Sequence, residues 1–149
     1  MMSANERKKT TGKLQAKGTT VEGFSTTDVL AYQNLSDLGF SFEGRNDKGE
    51  WLVFFVPTLD IKVGVSYKIE KYGSIGTATA HYKGSSGGKY DGESGQIKFT
   101  EFDKLSQKAV FEVKALIRNS VGDEKNIEVK GEFTNFESSN RQMPGLIDM

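Results

Sequence analysis

The chain has no cysteine, which excludes disulfides, thiolate nucleophiles and cysteine-based zinc or iron–sulfur centres together. It has one histidine, His81, too few for a histidine-rich metal site. No segment approaches the roughly 18 consecutive apolar residues that a membrane-spanning helix requires, so no membrane span is expected. Charge of one sign is also missing. Twenty basic residues balance twenty acidic ones, leaving no global field to attract a phosphate backbone, and nucleic acid is not an expected partner. The basic cluster Arg7, Lys8 and Lys9 is followed by no apolar run, so it is not read as a secretory leader. As written, the chain is expected in the cytoplasm; the alternative is the cell envelope or secretion, if a leader has been removed.

What the chain has instead is glycine and aromatic side chains: 17 glycines, ten phenylalanines and five tyrosines against two prolines. That composition suits tight turns between aromatic strands. From Gly95 to Phe136 the pattern has period two. Ile97 and Phe99, then Ala109, Phe111, Val113, Ala115 and Ile117, then Ile127, Val129 and Phe133 hold one parity. Lys98, Glu112, Lys114, Arg118, Glu128, Lys130 and Glu132 hold the other. Three antiparallel strands with one buried face follow from this alternation.

The same signal begins at Leu38, Phe40 and Phe42, turns at Asn46 to Gly49, and continues as the apolar run Trp51 to Val56, which Pro57 ends. Ile61, Val63, Val65, Tyr67 and Ile69 then alternate with polar residues, and Ala78, Ala80 and Tyr82 share a face in the run after KYGSIG. Residues 83–92, KGSSGGKYDG, read as a flexible surface connection. The expected domain plan is a polar arm or marginal edge strand over 1–20, one β-domain over 21–136 and a tail over 137–149. Within it, residues 21–37 suggest a short helix or covering loop. The expected fold is all-β: an antiparallel two-sheet sandwich of about seven or eight strands, with a closed or flattened β-barrel as the alternative.

The order of the second half, SGQIKFTEFD, then AVFEVKALI, then IEVKGEFTNF, carries a resemblance. Gly95, Ile97, Phe99 and Asp103 in the first piece, Val110 to Ala115 in the second, and Ile127, Val129, Gly131 and Phe133 in the third resemble a β-sandwich domain of unknown function found in small bacterial lipoproteins. The similarity is strongest over residues 90–136, and that family's leader and lipobox cysteine are absent. It implies an architecture and brings no catalytic residue with it.

No catalytic residue, metal ligand or cofactor site is expected. The phosphate-loop spacing GxxxxGK[ST] is absent from the glycine-rich segment, and the turn aspartates lack a calcium-loop spacing. His81 lies on the polar parity of its strand, with Asp91 near in sequence, and a solvent-facing strand histidine is its ordinary role. Tyr72 and Tyr90 sit in glycine-rich segments as candidate exposed contacts. Tyr72, Tyr90, His81 and Asp91 are therefore the candidate residues for binding a ligand or partner. The expected function is a non-catalytic binding domain that contacts a protein or small molecule through loops or an edge strand. The alternatives are a carboxylate-dependent, glycosidase-like hydrolase and a barrel that carries a small ligand in an apolar cavity. Nothing in the pattern bears on oligomeric state.

Overall fold

The alternation between Gly95 and Phe136 becomes a ladder of long strands in the structure, a computed structural model that describes residues 9–18, 24–34, 39–71 and 77–138. Strands β8 (Lys89–Asp103), β9 (Lys108–Asn119) and β10 (Glu124–Thr134) form an antiparallel meander. Along β9 the apolar parity is buried and the charged parity exposed, as a sheet with one dry face requires. The chain is all-β. Among the described residues no helix is long and apolar enough to cross a membrane.

Around this meander the remaining strands are β1 (Thr11–Gly18), β2 (Phe24–Thr26), β3 (Val29–Asn34), β4 (Gly39–Arg45), β5 (Trp51–Val56), β6 (Ser66–Ile69), β7 (Thr77–Lys83) and β11 (Glu137–Ser138). The strands form one eleven-stranded sheet in the order β11-β3-β4-β5-β7-β6-β8-β9-β10-β1-β2. β7 and β8 pair at His81 to Lys83 and then diverge. Short β6 fills the wedge, parallel to β7 and antiparallel to β8.

The sheet curls until its two ends nearly meet, so the fold takes the barrel alternative and a single sheet replaces the two expected first. Two devices curl it. Register shifts at Gly92/Ser94 and Phe99/Glu101 mark bulges in β8, and bulges bend a strand and raise its twist. At the seam, Thr10 joins both ends: its hydroxyl accepts from the Ala31 N–H at 3.1 Å and donates to the Asn135 carbonyl at 2.7 Å. At the far end of the seam, the Thr26 hydroxyl donates to the Arg45 carbonyl at 2.6 Å and accepts the Asp28 N–H at 3.0 Å.

The interior is filled by rings from opposite walls. Phe42 of β4 meets Phe111 of β9 at 5.2 Å between centroids, Phe133 of β10 at 5.4 Å and Phe99 of β8 at 5.6 Å. All four are fully buried. Rings at these spacings and tilted angles add attraction beyond the area they bury. The four rings thus meet across the interior of the barrel.

Several expectations are corrected. Residues 11–18 form β1, which lies inside the sheet between β10 and β2. Within residues 21–37, where a short helix or covering loop is expected, the described part holds β2 and β3. β3 reads poorly as a strand because Val29, Leu30, Ala31 and Tyr32 are all buried, so no polar parity betrays it. The flexible connection over 83–92 contracts to a turn at residues 84–88, with the Gly84 N–H donating to the Gly88 carbonyl. Val63 and Val65 leave the buried parity altogether, as described below.

Candidate functional site

Of the four candidate residues, Tyr72 lies outside the described residues. The hairpin of β7 and β8 brings the other three together, because His81 faces Asp91 and Tyr82 faces Tyr90 in register. Adjacent strand residues point to opposite sides of a sheet, so the group splits between the two faces. His81 and Asp91 face outward, and the imidazole Nδ1–H donates to Asp91 Oδ1 at 2.8 Å. Arg118 is the next residue in register on β9. It makes an ion pair with Glu124 and another with Glu93 at 3.7 Å, while Lys71 reaches Glu93 at 4.0 Å. The Arg118 guanidinium is held protonated even above its ordinary range by its hydrogen bond to Glu124 and by the charges of Glu124 and Glu93. The cluster is a half-exposed mesh of mixed sign on a convex wall. Surface pairs of this kind each contribute roughly 0–1 kcal/mol.

Tyr90 takes the inward parity and is half-buried. Its ring lies 5.8 Å from that of Tyr82, under the Lys125 ammonium at 4.9 Å. Tyr82 donates its hydroxyl to Glu50 Oε2 at 2.6 Å. Burial first, and then the Glu50 carboxylate, push the phenol well above the ordinary tyrosine range, so it stays a donor at any physiological pH. Tyr82, Tyr90, Glu50 and Lys125 thus meet at this end of the barrel.

The opposite end is built differently. After β5, Leu59 and Ile61 pack into the core, and the chain then turns outward. The Val65 N–H points back to the Lys62 carbonyl, Gly64 has φ +84°, and the Gly64 N–H donates to the Phe99 carbonyl at 3.0 Å. That positive φ is a conformation glycine adopts without steric cost, and the turn leaves Val63 and Val65 53% and 44% exposed.

Beside it, the turn from β8 to β9 is organised by Asp103, whose Oδ1 accepts the Leu105 N–H at 2.8 Å and the Ser106 N–H at 3.3 Å. These two backbone bonds hold the Asp103 carboxyl below its ordinary range, so the turn keeps its geometry at neutral pH. Leu105 is thereby presented at 96% exposure. Lys62 beside Asp60 lowers that carboxyl, with a smaller contribution from the Lys104 charge on the other loop.

This loop end was missed in the sequence. Val63 and Val65 continue the alternation that ends in Ile69, and only Gly64 between them signals a turn. Leu105 carried a clearer sign, a lone aliphatic inside the polar turn DKLSQK. Among the described residues no group of three or more His, Asp or Glu side chains is placed to hold a metal ion. Comparison with known proteins found no match to this chain among family models, curated proteins or solved structures.

Proposed function

We propose that the protein is a non-catalytic binding module that docks a protein partner through the loops carrying Val63, Val65 and Leu105. One observation carries the reading: among the described residues the exposed large hydrophobic side chains are Val63, Val65, Leu105 and Val121, and the first three stand on loops at one end of the barrel. Singly scattered surface aliphatics need no explanation, but several at one end of a fold, held out on structured loops, suit an interaction surface. The loops are also ordered by specific bonds, those of Asp103 and Gly64, so the side chains are held out before any partner arrives and little ordering entropy is lost on docking. The ring-filled interior favours an outside surface over an internal ligand.

Val121, 80% exposed in the turn at the other end of the barrel, is the natural control. Changing Val63, Val65 and Leu105 together to serine is expected to lower capture of the partner from source-cell extract about tenfold or more, as loss of a central apolar anchor does. Val121→Ser is expected to leave capture unchanged. The melting temperature should hardly move in either variant, because neither touches the core. Equal loss in both variants, or loss in neither, would remove the loop end from the reading.

A further inference from the structure

Among the described residues, two other than glycine hold a positive φ: Gln107 at +57° and Asn135 at +69°. A side chain persists in that left-handed region only where its surroundings hold it, and such residues gather at clamps and switches. Gln107 ends the turn that presents Leu105, where glycine would take the same φ at no steric cost. What the glutamine adds is reach. Its carbonyl accepts the Asn135 N–H at 2.8 Å, and its side-chain Oε1 accepts the Phe136 N–H at 3.3 Å. Asn135 carries the connection on: its side-chain amide donates to the Lys9 carbonyl at 3.2 Å, and its own carbonyl accepts the Thr10 hydroxyl at 2.7 Å. The same hydroxyl accepts the Ala31 N–H at 3.1 Å, while the Thr10 N–H donates to Glu137 Oε2 at 2.9 Å. A continuous run of hydrogen bonds thus leads from the Leu105 turn to β3. A second link is apolar. The bulge at Phe99/Glu101 shifts the parity of β8, so Phe102 packs on the core as Phe99 does. Its ring stacks on Phe136 at 5.7 Å and meets Phe40 edge-on at 5.2 Å, and Phe40 lies 5.5 Å from Phe136.

We infer that the Leu105 turn and the barrel seam are one conformational device, in which closure of the seam at Thr10 sets the turn in its docking form. The inference rests on the reading of the loop end as the docking surface. Among the described residues no backbone ladder joins β3 to β1, so the seam beside Ala31 is held by the Thr10 side chain and not by a row of strand bonds. With Thr10 closed on Ala31, Asn135 and Phe136 hold Gln107 in its left-handed form and the turn presents Leu105. When the seam releases, residues 135–137 and the turn loosen together and the docking surface is lost. Linkage makes the effect reciprocal: a partner bound at Leu105 favours the closed seam by the same factor by which closure favours the partner.

Amide hydrogen exchange in the full-length chain, followed by NMR, tests the coupling without any partner. Gln107→Gly keeps the backbone φ and the carbonyl acceptor but removes the side-chain bond to Phe136. It is expected to speed exchange of the Ala31 amide about tenfold, within the usual range of coupling between sites, and to leave the Val113 amide in the middle of the meander unchanged. An unchanged Ala31 rate would overturn the inference, and so would equal acceleration at Val113, which reports general loss of stability. The reverse direction uses partner capture. Thr10→Val removes the seam hydroxyl and lies outside both docking loops, and it is expected to lower capture about tenfold; Thr10→Ser, which keeps the hydroxyl, is expected to capture normally. Capture that falls when Val63, Val65 and Leu105 become serine but not in Thr10→Val would overturn the coupling. Capture indifferent to the serine changes would overturn the docking reading instead, and the Ala31 exchange rate then decides the coupling on its own.

Discussion

Replacing Phe111 with alanine is expected to lower the unfolding free energy by about 3–5 kcal/mol, the range for deleting a buried aromatic ring from a packed core. The ring is fully buried and stands where the walls converge. Its centroid lies 5.2 Å from Phe42, 5.3 Å from Phe99, 5.6 Å from Phe133 and 5.9 Å from Phe54. Those partners come from β4, β8, β10 and β5, so the backbone on one side cannot close the void without moving the other. For a chain of this size each 1 kcal/mol shifts the melting temperature by about 2–4 °C, and calorimetry should register a drop on the order of 10 °C. A drop of only 1–2 °C would mean that the barrel is not held by this ring cluster.

Gly131→Ala is expected to destabilise by about 1–3 kcal/mol, the usual cost of overpacking, although alanine suits a strand better than glycine by about 0.5–1 kcal/mol. Gly131 faces Phe111 in register between β10 and β9, and the Phe111 ring lies across it. A Cβ there would sit 2.5 Å from Phe111 Cζ, 2.8 Å from Cε1 and 2.9 Å from Cε2. The ring has no room to retreat, because Phe42 and Phe133 lie against it. The two positions are therefore coupled, and a double-mutant cycle isolates the coupling. In the Phe111→Ala background, Gly131→Ala should become neutral or stabilising. If it destabilises equally in both backgrounds, the ring is not what excludes the methyl group.

How much of this could be read from the sequence depends on the face. The meander from Gly95 to Phe136 was legible because its strands are wet on one side, so Phe111 and Glu112 fall on opposite parities. β3 was hidden by the opposite circumstance: Leu30 and Tyr32 are covered outside as Val29 and Ala31 are inside, and a run buried on both faces has no period. β1 was hidden by smallness, since only Leu14 and Ala16 mark its buried side among lysines, glycines and glutamine. The closure of the sheet was not legible at all. It depends on the bulges in β8, where Gly95 has φ +123°, and on single hydroxyls such as that of Thr10, which composition and periodicity do not encode.

The candidate residues divide in the same way. Proximity of His81, Tyr90 and Asp91 followed from their order along the chain, and a hairpin delivers it. Their division between the faces required knowing that the strand resumes at Lys89, inside what read as a flexible connection. Val63 and Val65 were misplaced because alternation continues through Gly64 without a break, so the turn had to come from the backbone.

The central claim is that the loop end, not the barrel's polar walls or its opposite mouth, is the working surface. Site-specific photo-crosslinking in the source cell tests it most directly, with the reactive side chain placed in turn at Leu105, at Val121 and at Lys114. The account predicts one discrete protein adduct from position 105 and none from positions 121 and 114. Adducts to the same protein from position 114 or 121, with none from position 105, would contradict it.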